Sequence, residues 1–302
     1  MFKSIDINAL MAGDYRQLAR AITLVENDMP GGAELLRQLP FNKLVPVIGL
    51  TGPPGAGKSS LVNALITYLL KQNKKVGIIA VDPTSPFNFG SLLGDRIRMS
   101  EHFNHPNVFI RSLATRGSLG GLSAKIFEVS DVMKNAGFDV IIIETVGVGQ
   151  SEVEIAGIAD TTAVVLVPEA GDEVQTLKSG LMEIADIFVI NKSDREGADI
   201  FVKNLSALVH GRGASDWQIP VLKTVATSQT GVPELWEALM SHNAINVKDE
   251  RATQLMTEKA YQLILMHQMK GIAKDQLFNK IKDSANKNGF NLYQFLQDNY
   301  FN

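Results

Sequence analysis

The run Gly52-Pro53-Pro54-Gly55-Ala56-Gly57-Lys58-Ser59-Ser60 constrains the fold more than any other feature, because it lies between a β-rich stretch at 44–50 and a helical stretch at 59–70. Strand, glycine-rich turn and helix in that order form the context in which this pattern acts as a phosphate-binding loop. The glycines let the backbone curl with its N–H groups facing inward, and the helix adds the positive end of its dipole. Lys58 is expected to reach the β- and γ-phosphates of a nucleotide. Ser59 is expected on Mg²⁺, a hard cation that prefers oxygen ligands. Residues 52 to 60 together form the candidate phosphate site.

The remaining chain repeats the strand and helix alternation. Val/Ile-rich runs at 76–81, 108–113, 140–143, 163–167 and 187–190 read as further buried strands, with helical segments between several of them. Continuous apolar strands separated by helices imply a mostly parallel sheet covered on both faces, with ligands at the carboxyl ends of its strands. The fold class is therefore α/β, a P-loop NTPase core with helical extensions at both ends. Leu18, Ala19, Ile22 and Val25 recur at helical spacing in front of the core, and this segment is expected to end near Pro30-Gly31-Gly32. After Pro233 only helical patterning remains. The expected division is a helical extension over 1–43, the nucleotide-binding domain over 44–240 and a helical, dimerising appendage over 241–302.

Composition narrows the partners. A net charge of -3 and a pI near 6.0 provide no basic field to gather nucleic acid or an anionic membrane. The absence of cysteine removes disulfides and thiolate metal sites. No apolar run reaches the roughly 18 residues of a membrane span, and the first residues do not read as a signal peptide, so membrane insertion is not expected and a cytoplasmic location is.

Two more elements belong with the phosphate loop. Val140 to Glu144 is an apolar strand ending in a carboxylate, followed by Thr145-Val146-Gly147. Glu144 suits the surroundings of the metal opposite Ser59, and Gly147, lacking a side chain, can bring its N–H close to a γ-phosphate. Val148 stands where many GTPases carry a water-orienting glutamine, which predicts slow intrinsic hydrolysis, with Gln150 as the candidate substitute. Asn191-Lys192-Ser193-Asp194 follows the strand at 187–190. A carboxylate at Asp194 can accept from both guanine N1–H and the exocyclic amine, a donor pair that adenine lacks, so guanine selection is expected there. Ala226, in Thr224-Val225-Ala226-Thr227-Ser228, is expected to present its N–H to the guanine oxygen. GTP/GDP and Mg²⁺ are the expected ligands.

These residues resemble the MeaB/ArgK group of P-loop GTPases over about Asp14 to Met240. The resemblance is carried by Gly52 to Ser60, Val81-Asp-Pro-Thr-Ser85, Gly94-Asp-Arg96, Thr115-Arg-Gly-Ser-Leu-Gly-Gly121, Glu144 to Gln150 and Gly171 to Lys178. It implies a homodimeric chaperone of a cobalamin-dependent acyl-CoA mutase of the methylmalonyl-CoA mutase type. GTP would gate adenosylcobalamin delivery and protect or reactivate the mutase. It also implies Asp82 and Asp95 beside Glu144 around the metal, and a signalling role for 171–178. Read as residues alone, Asp82 and Asp95 are two carboxylates at or beyond a strand end close to the phosphate loop, which would suit Mg²⁺; capping or loop solvation is the alternative, and for Asp82, at the end of a buried strand, the functional role is favoured. Glu169 departs from the family pattern, and the tail after Met240 is short. Two other readings are a kinase or ATPase for lysine/arginine/ornithine transport, which Asn191 and Asp194 argue against, and a metal-insertion GTPase. The latter needs soft or imidazole ligands, whereas His102 and His105 read as a turn. A module that has lost hydrolysis is disfavoured by intact Lys58, Ser59 and Glu144. Trp217, Trp236 and the tail methionines read as core.

Overall fold

The structure, a computed structural model, describes residues 5–40, 44–82, 99–114, 125–145, 154–169, 180–210, 217–246, 251–269, 271–285 and 289–300. These divide into two compact units, 1–255 and 256–302.

The first unit is built on seven parallel strands: β1 (Val47–Thr51), β2 (Val76–Asp82), β3 (Val108–Ala114), β4 (Val140–Glu144), β5 (Thr161–Leu166), β6 (Ile187–Ile190) and β7 (Val221–Lys223), in the order β3-β2-β4-β1-β5-β6-β7. All six pairings between neighbours are parallel. Every residue of β1, β4, β5 and β6 is buried, which is why these strands read as unbroken apolar runs rather than as alternations. Within β4 the period of two divides the side chains between two cores. Val140 and Ile142 pack with α4 (Lys58–Lys71) and Leu235 and Leu239 of α8 (Val232–Asn246), whereas Ile141 and Ile143 pack with α2 (Tyr15–Glu26) and α5 (Ile126–Lys134). A third cluster seats Phe201 and Leu205 of α7 (Ala198–His210) on β5 and β6.

The amino-terminal helices are part of this unit. The Asp14 carboxylate accepts from Arg16 N and Gln17 N and caps α2, whose Leu18, Ala21, Ile22 and Val25 are buried. The helix ends at Glu26, before Pro30, and α3 (Gly32–Gln38) follows. Strand limits shift slightly from the sequence expectation. β1 starts at Val47 because Leu44 is 85% exposed. β7 was not expected: Val221 and Leu222 are only partly buried and Lys223 is exposed, leaving no apolar run to read. Glu101 to Pro106 does turn, with His105 N donating to His102 O at 3.0 Å. Trp217 and Trp236 pack half-buried against the core.

The second unit carries most of α9 (Arg251–Gln268), α10 (Lys274–Ala285) and α11 (Leu292–Tyr300). Phe295 contacts the rings of Phe290 and Tyr300, with centroids at 6.0 and 6.2 Å. No residue of α11 is buried, and Tyr261, Ile264, Leu265, Met269, Phe278 and Tyr293 are exposed. Met269 therefore does not fill a core, contrary to the sequence expectation.

Candidate functional site

The carboxyl ends of β1, β4, β5 and β6 converge on the glycine-rich loop. β1 stops at Thr51, Gly52 takes φ 135°, and Gly57 takes φ 85° as the residue before α4. A side chain at Gly52 would place its Cβ 2.1 Å from Val165 O, and one at Gly57 would place it 2.4 Å from the Asn191 amide. Glycine is required at both by backbone conformation and by close packing. The residue capping α4 has no side chain to occupy the first-turn N–H groups, which leaves them to an incoming anion.

Lys58 is 6% exposed, and its Nζ donates to Gly52 O at 2.7 Å and Pro53 O at 3.0 Å, folded over the rim of the loop. The Ser59 hydroxyl donates to Glu144 Oε1 at 2.6 Å, across 85 residues of sequence. Strand register creates this contact: β4 lies beside β1 with Leu50 opposite Glu144, so the carboxylate emerges level with the start of the loop. One hydroxyl and one carboxylate side by side are hard oxygen donors of the kind Mg²⁺ takes. Thr145, directly after Glu144, donates its hydroxyl to that of Thr51, directly before Gly52, at 3.0 Å, and both residues are fully buried. Asp82 ends β2, the neighbour of β4, and its backbone pairs with Ala114 of β3. The Asp82 side chain, Asp95, Gly147, Gln150 and the segment 171–178 lie outside the described residues.

Asn191 directly follows β6 and is buried, and its amide serves two loops at once. Nδ2 donates to Ala56 O at 2.9 Å, while Oδ1 accepts from Thr224 Oγ1 and Ala226 N, each at 3.2 Å. It thereby fastens the phosphate loop to the loop after β7. The Ala226 N–H, expected at a guanine oxygen, donates to Asn191 here. Lys192, at φ 56°, donates from Nζ to Gly55 O at 2.8 Å, and Asp194 is exposed next to it. Arg195 bonds Glu169, and this guanidinium holds the Glu169 carboxyl below the usual carboxylate range. Glu169 thus ties the segment after β5 to the Asn191 loop. Thr224, Arg195, Thr51 and Thr145 escaped sequence reasoning. Their only signal was adjacency to the motifs, and their partners lie between 26 and 94 residues away.

Beside the loop a cleft of about 530 Å³ runs between α4 and the turn at 226–229. Its lining includes Ser60, Asn63, Thr67, Glu101, His102 and Ala226. His102 is 8% exposed and lies 3.3 Å from Thr67 Oγ1; burial pulls its imidazole below the ordinary histidine range, with Glu101 opposing the shift.

Known proteins are similar to this chain. A putative GTPase of Pyrococcus abyssi is 52% identical over 78% of this chain and 74% of its own length. GTPase ArgK of Escherichia coli is 33% identical over 98% and 97%. The crystal structure described as LAO/AO transport system kinase superposes with a TM-score of 0.68 at 27% identity, covering 97% of this chain and 94% of that one. Residues 18–286 match the family described as Methylmalonyl Co-A mutase-associated GTPase MeaB, with the phosphate loop and Asn191 loop inside the matched span. The chain belongs to the MeaB family of P-loop GTPases.

Proposed function

We propose that this GTPase binds GTP and Mg²⁺ at the converging loops and couples hydrolysis to the care of a cobalamin-dependent acyl-CoA mutase. The observation that carries the nucleotide reading is the 2.6 Å contact between Ser59 and Glu144 at the start of α4. In this reading the first-turn N–H groups of α4 and Lys58 hold the phosphates, so Lys58 exchanges the carbonyls of Gly52 and Pro53 for phosphate oxygens. Ser59 and Glu144, joined by Asp82 and Asp95, would hold Mg²⁺, which when bound supplies positive charge against the phosphates. Gly147 gives its N–H to the γ-phosphate, and Gln150 takes the water-orienting place that Val148 cannot fill. Asn191, Lys192 and Asp194 select guanine, and the Ala226 N–H turns from Asn191 to the guanine oxygen.

The family's description supports the mutase as partner. The role in this reading is that of a chaperone that gates adenosylcobalamin delivery and protects or reactivates the mutase. The chain acts as a homodimer through its carboxy-terminal helices. Tyr261, Ile264 and Leu265 form an exposed apolar stripe on α9 at helical spacing, and such a stripe is stable when another surface covers it.

The test is steady-state hydrolysis of GTP, with ATP as control, alone and with a purified methylmalonyl-CoA mutase. Slow GTP-selective turnover raised about tenfold or more by the mutase is expected, as for GTPases whose catalytic group is completed by a partner. Turnover that no mutase changes would remove the partner while leaving the GTPase intact.

A further inference from the structure

A nucleotide whose phosphates sit at the first turn of α4, and whose base sits at Asn191 and Ala226, must carry its ribose between them. Ser60, near the start of α4, and Ala226 both line the cleft. One helical turn beyond Ser60 stands Asn63, three residues on or about 4.5 Å of rise. Its Nδ2 donates to Glu101 Oε1 at 2.5 Å. Its Oδ1 is shielded from water and accepts no hydrogen bond among the described residues. Glu101 also approaches His102 Nε2 at 3.4 Å, while its side chain remains 62% exposed to the cleft and solvent. One wall thus presents an exposed carboxylate held in place by a neighbouring amide whose own oxygen is buried.

The two oxygens of one exposed carboxylate complement two adjacent donors. The vicinal 2′- and 3′-hydroxyls of ribose are such a pair, and a carboxylate is the common partner of a ribose diol in nucleotide sites. Ser60 and Thr227, which also line the cleft, carry hydroxyls that can hydrogen-bond a sugar.

We propose that Glu101, oriented by Asn63, binds the ribose hydroxyls of the guanine nucleotide and makes the site selective for ribonucleotides. The inference rests on the GTP-binding reading above. Glu101 is a binding residue here, and Asn63 positions it.

The experiment measures affinities of the full chain for GTP, 2′-deoxyGTP, 3′-deoxyGTP and 2′,3′-dideoxyGTP by calorimetry, for the native protein and for Glu101→Gln and Glu101→Ala. Glu101 is exposed, so neither change threatens the core. Losing bonds to a charged acceptor predicts that the native protein binds GTP about 10-fold or more tightly than the dideoxy nucleotide. Glu101→Gln should retain part of that ratio and Glu101→Ala essentially none, with the affinity for the dideoxy nucleotide unchanged throughout. A native protein indifferent to the hydroxyls, or a Glu101→Ala variant with the native ratio, overturns the proposal while GTP binding stands. Failure of every guanine nucleotide to bind brings down the GTP reading and this inference with it.

Discussion

Asp194 and His102 each carry a prediction that a single side chain can test. Asp194 is exposed beside Lys192, so Asp194→Asn costs little stability, yet it replaces an acceptor with a group that can donate. The expected outcome is a change of preference from GTP towards XTP, measured as the ratio of hydrolysis rates, and retained GTP preference would remove Asp194 from base recognition. His102 makes a prediction about pH. Its imidazole is held neutral by burial, so its folded pKa lies below the ordinary 6.5. The unfolded chain therefore binds a proton that the native state refuses, and stability falls as pH drops through 6.5 towards the folded value, being complete above it. Urea midpoints at about pH 7.5 and 5.5 should fall further for the native protein than for His102→Gln. Equal slopes would mean that this imidazole titrates alike in both states.

At the scale of elements, the phosphate loop is gripped by its neighbours. Gly55 and Gly57 share the same left-handed backbone, at φ 79° and 85°. A side chain at Gly55 would meet nothing within 4 Å, whereas one at Gly57 would strike the Asn191 amide. Each alanine substitution carries a conformational cost of roughly 1–2 kcal/mol. Gly57→Ala should cost more than Gly55→Ala in thermal unfolding, because it also displaces the amide that joins the loops at 56 and 224–226. Equal melting shifts would show that the Asn191 contact yields freely. The hydroxyl pair of Thr51 and Thr145 joins the same set of loops from the strand side. Thr145→Val keeps the shape of the side chain and removes this bond, and a loss of about 1 kcal/mol in chemical denaturation is expected. An unchanged midpoint would mean that the pair merely fills space.

For the whole molecule, the two units differ in how they hide apolar surface. The first buries both faces of a seven-stranded sheet. The second leaves Tyr261, Ile264 and Leu265 in water, and its last helix buries nothing. Under the homodimer reading, Tyr261→Glu with Ile264→Glu should reduce the mass seen by light scattering to one chain of 32.9 kDa while melting of the first unit is preserved. A native protein already monomeric at tens of micromolar would end that reading. Among the described residues no helix is long and apolar enough to cross a membrane.

The sequence by itself determined the kind of sheet, the phosphate loop and the place of the Asn191 loop. Each of these is written in contiguous residues: fully apolar strands need no partner to be recognised, and glycines at 52 and 57 mark backbone that other residues tolerate poorly. β7 stayed hidden because two half-buried residues and an exposed lysine carry no period. Only the tertiary structure decided what meets what. Ser59 meets Glu144 across 85 residues, Asn191 meets Ala56 across 135, and Glu101 meets Asn63 across 38. Such contacts follow from strand order and register, which place β4 beside β1 and β6 one strand further out than β5. Local patterning cannot encode them, because strand order is settled by how the whole sheet and its covering helices pack.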